Sequence, residues 1–196
     1  LYVVVEYKYF WAYPLEIFKF WKGGLVFYGG LILGVLVSLW YLNRHHMPVW
    51  KTADLLVPSI AIGQAIGRWG CLFAGCCYGK ETDAIFGITF TNPRSLAPLE
   101  TSLHPTQIYL SLNALFIFIF LMILSKKKVF DGQVLWSYGI LYSIGRFLIE
   151  YFRGDDRGFP LEQLLSTSQF VGIFIFLLSS FMLLVLYRKN LRSHHS

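Results

Sequence analysis

An arginine stands inside a stretch that is otherwise suited to a membrane. The stretch is residues 53–74, ADLLVPSIAIGQAIGRWGCLFA, and the arginine is Arg68, with Gly67 before it and Trp69 and Gly70 after it. On insertion scales an arginine in a bilayer costs roughly 2.5–3.5 kcal/mol, so such a residue is expected to face a protein interior or a wet cavity and to have an anionic partner. At a bilayer the most abundant anion is the phosphate of a lipid headgroup. The surrounding sequence is dense in glycine: Gly63, Gly67, Gly70, Gly75 and Gly79. Gly63 and Gly67 form a small-xxx-small pair suited to close helix contact. The same density permits a broken helix whose freed N–H groups would meet a phosphate. The competing reading is a tightly packed helix in which Arg68 is paired for structure alone.

Three further groups of residues could do chemistry. Arg146 and Glu150 are four apart and Glu150 and Arg153 three apart in RFLIEYFR, which puts the three charges in one row on a helix. That row either holds a ligand or neutralises itself. His104 opens HPTQIY, with Pro105 suited to a first helical position; it is a candidate for acid–base chemistry, or a capping group at an interface. Tyr28 in FYGGLILG is a hydroxyl donor or a span-end aromatic. The cysteines, Cys71, Cys76 and Cys77, lie within one short stretch. They can build no disulfide framework. They match no CxxC spacing and have no second cluster, so the expectation is no metal, with thiols that pack as small hydrophobes.

These groups need elements to position them. The 196 residues are 56% hydrophobic, 18% aromatic and only 14% charged, against about 25% charged in a soluble domain. The fold expected is all-α: a polytopic membrane helical bundle. Five apolar segments, 24–42, 53–74, 107–125, 133–151 and 169–187, are near the length that crosses about 30 Å of hydrocarbon. The second and fourth carry the polar residues; the third and fifth are plain Leu/Ile/Phe runs. Residues 1–196 read as one transmembrane domain. Residues 78–103 form an outer-side loop in which the alternation of Ile88 and Phe90 suggests short strands.

The charge of +6 does not point to nucleic acid, because the basic residues gather at span ends. Arg44, Lys51, Lys126, Lys127, Lys128, Arg188, Lys189 and Arg192 sit in short loops and the tail on one side. The opposite side mixes Lys8, Lys19, Lys22, Lys80, Arg94, Arg153 and Arg157 with most of the acids. Short basic loops mark the cytoplasmic face, so the C-terminus is expected in the cytoplasm and Leu1 outside. Leu1 is not a methionine and no signal peptide follows it, so the chain is expected to begin inside a longer protein.

Taken in order, FYGGLILG, GRWGCLFAGCCYGK, HPTQIYL, RFLIEYFRGDDRG and LSTSQF resemble the prolipoprotein diacylglyceryl transferase family. The resemblance implies seven transmembrane helices in the full fold, two of them ahead of Leu1, in the bacterial cytoplasmic (inner) membrane. It also implies transfer of a diacylglyceryl group from phosphatidylglycerol to the lipobox cysteine of a prolipoprotein carrying its signal peptide, with glycerol phosphate released. No cofactor is implied. On this reading Arg68, Arg146, Arg153, Gly67, Gly70 and Gly79 bind the phospholipid, while His104, Tyr28 and Glu150 are catalytic. The sequence departs from the family in three places. Cys71 stands where the signature commonly has Asn, Tyr28 where many members have His, and Leu110 where Glu is usual. The alternative is a non-catalytic phospholipid-binding or transport protein on the same fold.

Overall fold

The structure is a computed structural model and describes residues 27–154 and 166–195. The chain divides into two compact units, Leu1–Val49 and Trp50–Ser196. In the first, α1 (Phe27–Arg44) is apolar along its length and ends with a cation in its last turn, where the helix dipole favours one. His46 takes a positive φ of 53°, and Met47 N–H returns to Leu42 O at 2.9 Å, which closes the helix.

The second unit is helical: α2 (Val49–Ala74), α3 (Thr106–Lys127), α4 (Gln133–Glu150) and α5 (Thr167–His195). Between α2 and α3, β1 (Ile88–Thr89) pairs antiparallel with β2 (Ser102–Leu103), in the register Ile88 to Leu103 and Thr89 to Ser102. Among the described residues, Val49–Ala74, Thr106–Lys127 and Ser168–Arg192 are long and apolar enough to cross a membrane. α1 has a shorter apolar part, Ile32–Arg44. α4 ends on Arg146 and Glu150, which lower its hydropathy. The helices outrun the apolar segments because hydropathy marks the stretch that suits hydrocarbon, while helical hydrogen bonding continues into the polar turns: α2 starts before residue 53 and α5 passes residue 187.

Val57 and Ala61 of α2, Ile117 and Leu121 of α3 and Val134 of α4 form a common core. The outward faces are large and apolar, with Phe116, Ile123, Phe174 and Phe181 exposed, as hydrocarbon-facing surfaces are. Small residues let the helices approach. A Cβ at Gly145 of α4 would lie 2.3 Å from the Asn113 amide of α3, and one at Gly139 would lie 2.2 Å from Ser179 Oγ of α5.

One contact between distant segments sets the start of α4. Asp54, buried on α2, accepts the N–H of Gly132 at 2.9 Å and that of Leu135 at 3.0 Å. It caps a helix 78 residues further along the chain, in the role that a local Asp usually plays. Lys128 Nζ reaches Asp54 at 3.0 Å and Asp131 at 2.7 Å. Burial alone would lower the pKa of the Lys128 ammonium, but the hydrogen bonds and charges of Asp131 and Asp54 outweigh it and the net direction is up. Because the folded value is raised, this contribution is complete below the ordinary 10.5 and is lost as pH climbs through the higher folded value.

Asp54→Ala removes the cap and one of the two carboxylates on Lys128, and is expected to cost about 1–2 kcal/mol. Asp54→Asn, which keeps one acceptor, should cost less. Unfolding followed by circular dichroism in detergent checks both, and equal stability of Asp54→Ala and wild type would exclude this role.

Candidate active site

α2 runs unbroken through Gly63, Gly67 and Gly70, so the broken helix that the glycines permit does not occur at Arg68. Regular i to i−4 hydrogen bonding engages those amides within the helix. Among the described residues the close helix contact expected at Gly63 and Gly67 is not made: a Cβ at Gly63, Gly67 or Gly70 meets nothing within 4 Å. Arg68 is half-buried beside this open space. Among the described residues its side chain has no ion pair or hydrogen bond.

α2 ends on a Schellman turn, in which Gly75 N–H bonds Leu72 O and Cys76 N–H bonds Cys71 O, both at 3.1 Å. Gly75 has φ +68°, and a Cβ there would lie 1.8 Å from Ser95 Oγ. The chain then passes against the start of α3. Thr106 Oγ1 donates to Cys77 O at 2.6 Å and Gln107 Nε2 donates to Cys76 O at 2.8 Å. Both side chains are buried. One turn deeper, Ser111 Oγ donates to Ala65 O at 2.8 Å.

Gly79 is the point where three segments meet. Its N–H bonds His104 O at 3.0 Å, His104 N–H bonds Lys80 O at 2.9 Å, and Lys80 N–H bonds Phe152 O at 2.8 Å. Gly79 also forms a bridge with Arg153. No side chain fits there, since a Cβ would lie 2.5 Å from His104 O and 2.7 Å from Phe152 O. This stitching places His104 beside the end of α4. His104 Nδ1 lies 3.1 Å from Tyr109 Oη, and its ring meets the edge of Phe152 with centroids 5.3 Å apart. With Nδ1 engaged, Nε2 is the remaining nitrogen to exchange a proton, and it has no partner among the described residues.

Around Glu150 a buried charge cluster forms. Arg146 Nη2 is 3.0 Å from Glu150 Oε2, and Arg153 Nε is 3.9 Å from the same oxygen. The three side chains are 9%, 7% and 3% exposed for Arg146, Glu150 and Arg153. Arg153 lies past the end of α4, so the row continues into the bridge with Gly79 rather than along the helix. The segment leading into α5 completes the cluster: Ser166 Oγ donates to Glu150 Oε1 at 2.8 Å and Arg146 Nη2 donates to Ser168 Oγ at 3.0 Å. Among the described residues Arg146 and Arg153 share the Glu150 carboxylate. Between α4 and α5 an apolar groove of about 230 Å³ is lined by Phe147, Leu148 and Phe176 among others.

Thus Arg146, Glu150 and Arg153 come together, and Gly79 joins His104 to that end of α4. Arg68, Gly67 and Gly70 lie on α2 with no ion pair or hydrogen bond from Arg68 to the Glu150 cluster. Tyr28 lies in the first turn of α1, but its side chain is outside the described residues. Residue-by-residue reading assigned no part to Thr106, Gln107, Ser166 or Ser168. Their signal was present as polar side chains at the margins of apolar runs, within HPTQ and LSTSQF. The cysteines also converge, with their Sγ atoms all within 4.8 Å of one another. Burial, then the charges of Cys77 and Cys71, push the Cys76 thiol up to about 12.

The sequence profile of the family described as prolipoprotein diacylglyceryl transferase matches residues 1–185. The chain belongs to this family. A phosphatidylglycerol–prolipoprotein diacylglyceryl transferase of Clostridium tetani is 41% identical over 181 residues, covering 92% of this chain and 71% of the relative. A protein of Clostridium perfringens, named as the second phosphatidylglycerol–prolipoprotein diacylglyceryl transferase, is 43% identical over 175 residues, covering 89% and 67%. A Bacillus velezensis relative of the same name is 32% identical over 192 residues. This diacylglyceryl transferase family member therefore carries its buried arginines and its stitched His104 on a membrane helical scaffold.

The glycines of the site divide into two kinds, and substitution tells them apart. Gly79→Ala is expected to force the loop off His104 and Phe152 and to lower the unfolding midpoint by several degrees, because overpacking typically costs about 1–3 kcal/mol. Gly70→Ala should leave the midpoint at or slightly above that of wild type, since alanine favours a helix. Equal midpoints for the two variants would exclude the stitching role of Gly79.

Proposed function

We infer that this chain transfers the diacylglyceryl group of phosphatidylglycerol to the lipobox cysteine of a prolipoprotein, presented by its signal peptide at the outer face of the bacterial cytoplasmic membrane. The observation that carries the reading is the pair of buried arginines sharing Glu150, together with Arg68, half-buried and without a protein anion among the described residues. Buried cations of this kind suit a phosphodiester at the level of the headgroups.

The substrate thiolate attacks the glyceryl carbon that carries the phosphate. A C–S bond forms, the C–O bond to phosphate breaks, and glycerol phosphate leaves with the electron pair. Arg68 and Arg146 hold the phosphate, and their hydrogen bonds strengthen as charge develops on the leaving oxygen. Glu150 orients Arg146 and Arg153. Gly67 and Gly70 leave the space that lets a headgroup approach Arg68, and Gly79 holds the loop that closes the site. The nucleophile is a thiolate, so a base must take the thiol proton; His104, through Nε2, or Tyr28 serves in that role. The apolar groove between α4 and α5 suits an acyl chain. Cys71, Cys76 and Cys77 need not react, because the acceptor cysteine belongs to the substrate.

The test supplies membranes containing phosphatidylglycerol and a lipobox peptide and measures the thioether product. Arg68→Ala and Arg146→Ala are each expected to lower the rate roughly 10²–10³-fold. His104→Ala should lower it about 10²-fold or more while lipid binding persists. Undiminished product from Arg68→Ala would overturn the phosphate role, and lipid binding without turnover in wild type would favour a non-catalytic protein. Cytoplasmic placement of the C-terminus predicts that a periplasm-dependent phosphatase fused after Ser196 is inactive.

A further inference from the structure

The sequence spacing of Cys71, Cys76 and Cys77 matches no familiar metal motif, yet the fold draws the three sulfurs together. Cys71 sits in the last turn of α2. The positive φ of Gly75 reverses the chain so that Cys76 N–H bonds Cys71 O at 3.1 Å. Cys77 then adopts φ +61°, a conformation that L-residues rarely take. The result is three half-buried Sγ atoms, all within 4.8 Å of one another.

We propose that Cys71, Cys76 and Cys77 form a tris-thiolate site for a thiophilic d10 cation, of the class of zinc or monovalent copper. With metal–sulfur bonds of about 2.3 Å, the sulfurs of a tetrahedral site stand about 3.8 Å apart and those of a trigonal one about 4.0 Å. The observed triangle needs to close by at most about 1 Å per edge to reach either. Soft thiolates select this class of ion over hard divalent cations. The backbone is already fixed, since Thr106 holds Cys77 O and Gln107 holds Cys76 O. The site also lies at the C-terminus of α2, where the helix dipole favours a cation and opposes three uncompensated thiolates. Each cysteine loses its proton on binding, three sulfur–metal bonds form, and a fourth position is left to water. No electron transfer is required. A bound ion would staple the end of α2 to the loop that carries Gly79, apart from the guanidinium groups that hold the phosphate.

The test uses the full-length protein in detergent, reduced and metal-free, titrated with Cd²⁺. One Cd²⁺ per chain is expected, with a cadmium–thiolate band in the ultraviolet and all three thiols shielded from a thiol reagent, and Cd²⁺ should displace Zn²⁺ bound beforehand. Cys76→Ser should weaken binding roughly tenfold or more, and replacing all three cysteines by serine should abolish it. Thiol shielding in wild type provides a readout that needs no variant to fold. Failure to bind Cd²⁺, equal binding by the triple variant, or only one reactive thiol in the metal-free reduced protein would each overturn the site. Transferase activity is measured separately, so loss of this proposal leaves the assignment of Arg68 and Arg146 standing.

Discussion

Both ends of α4 are held by a carboxylate, and the rest of the helical unit is arranged around that fact. At its N-terminus Asp54 accepts the N–H groups of Gly132 and Leu135. At its C-terminus Glu150 draws Arg146 and Arg153 together and is itself bonded by Ser166. With 18 residues, α4 rises about 27 Å, close to the thickness of the hydrocarbon layer. Polar groups inside that layer are costly unless paired, and the charged groups that hold α4 gather at its two poles. Between them Val134 packs against Val57 and Ile117, Tyr138 Oη donates to Gln64 Oε1 at 2.9 Å, and Gly139 and Gly145 admit Ser179 and Asn113.

The two poles draw their partners from different parts of the chain. Asp54 comes from the first turns of α2, with Lys128 and Asp131 supplied by the link between α3 and α4. At the other pole the end of α2, the start of α3, the end of α4 and the approach to α5 all contribute polar or backbone groups. A charge cluster built this way resists relaxation, because moving Arg146 also disturbs Glu150, Ser166 and Ser168. That rigidity is what an electrostatic site needs, since donors that are already oriented need not reorganise as charge develops.

The helical class was legible because apolar runs of membrane length leave few alternatives. The charges were legible too: an arginine in an apolar stretch stands out, and four-residue spacing puts Arg146 and Glu150 on one face. What residues alone could not supply were contacts across the fold. Asp54 reads as an ordinary acid near a basic loop, and nothing local tells that it caps a helix 78 residues away. Ser166 and Ser168 lie in LSTSQF with no role that spacing assigns, and only the fold brings them to Glu150 and Arg146. The cysteines fail every spacing rule because a Schellman turn, not an unbroken helix, sets their separation. Glycine density around Arg68 was ambiguous for a related reason: the same residue type serves a kink, a close contact or an open wall, and only the neighbours decide among them.

Those neighbours divide the glycines in an informative way. Gly75, Gly79 and Gly154 are crowded, with atoms within 3 Å of where a Cβ would stand. Gly75 makes room for the Ser95 side chain at the end of α2, and Gly79 and Gly154 let backbone meet backbone at the end of α4. Gly63, Gly67 and Gly70 face nothing within 4 Å. In an exposed helix interior each costs about 0.8–1.0 kcal/mol relative to alanine, and among the described residues no packing contact recovers it. On the proposed function, room for a bulky headgroup beside Arg68 is the benefit that would offset that cost. Arg68 and its glycines would then form one lipid-facing surface, and the lipid would enter the energetics of α2.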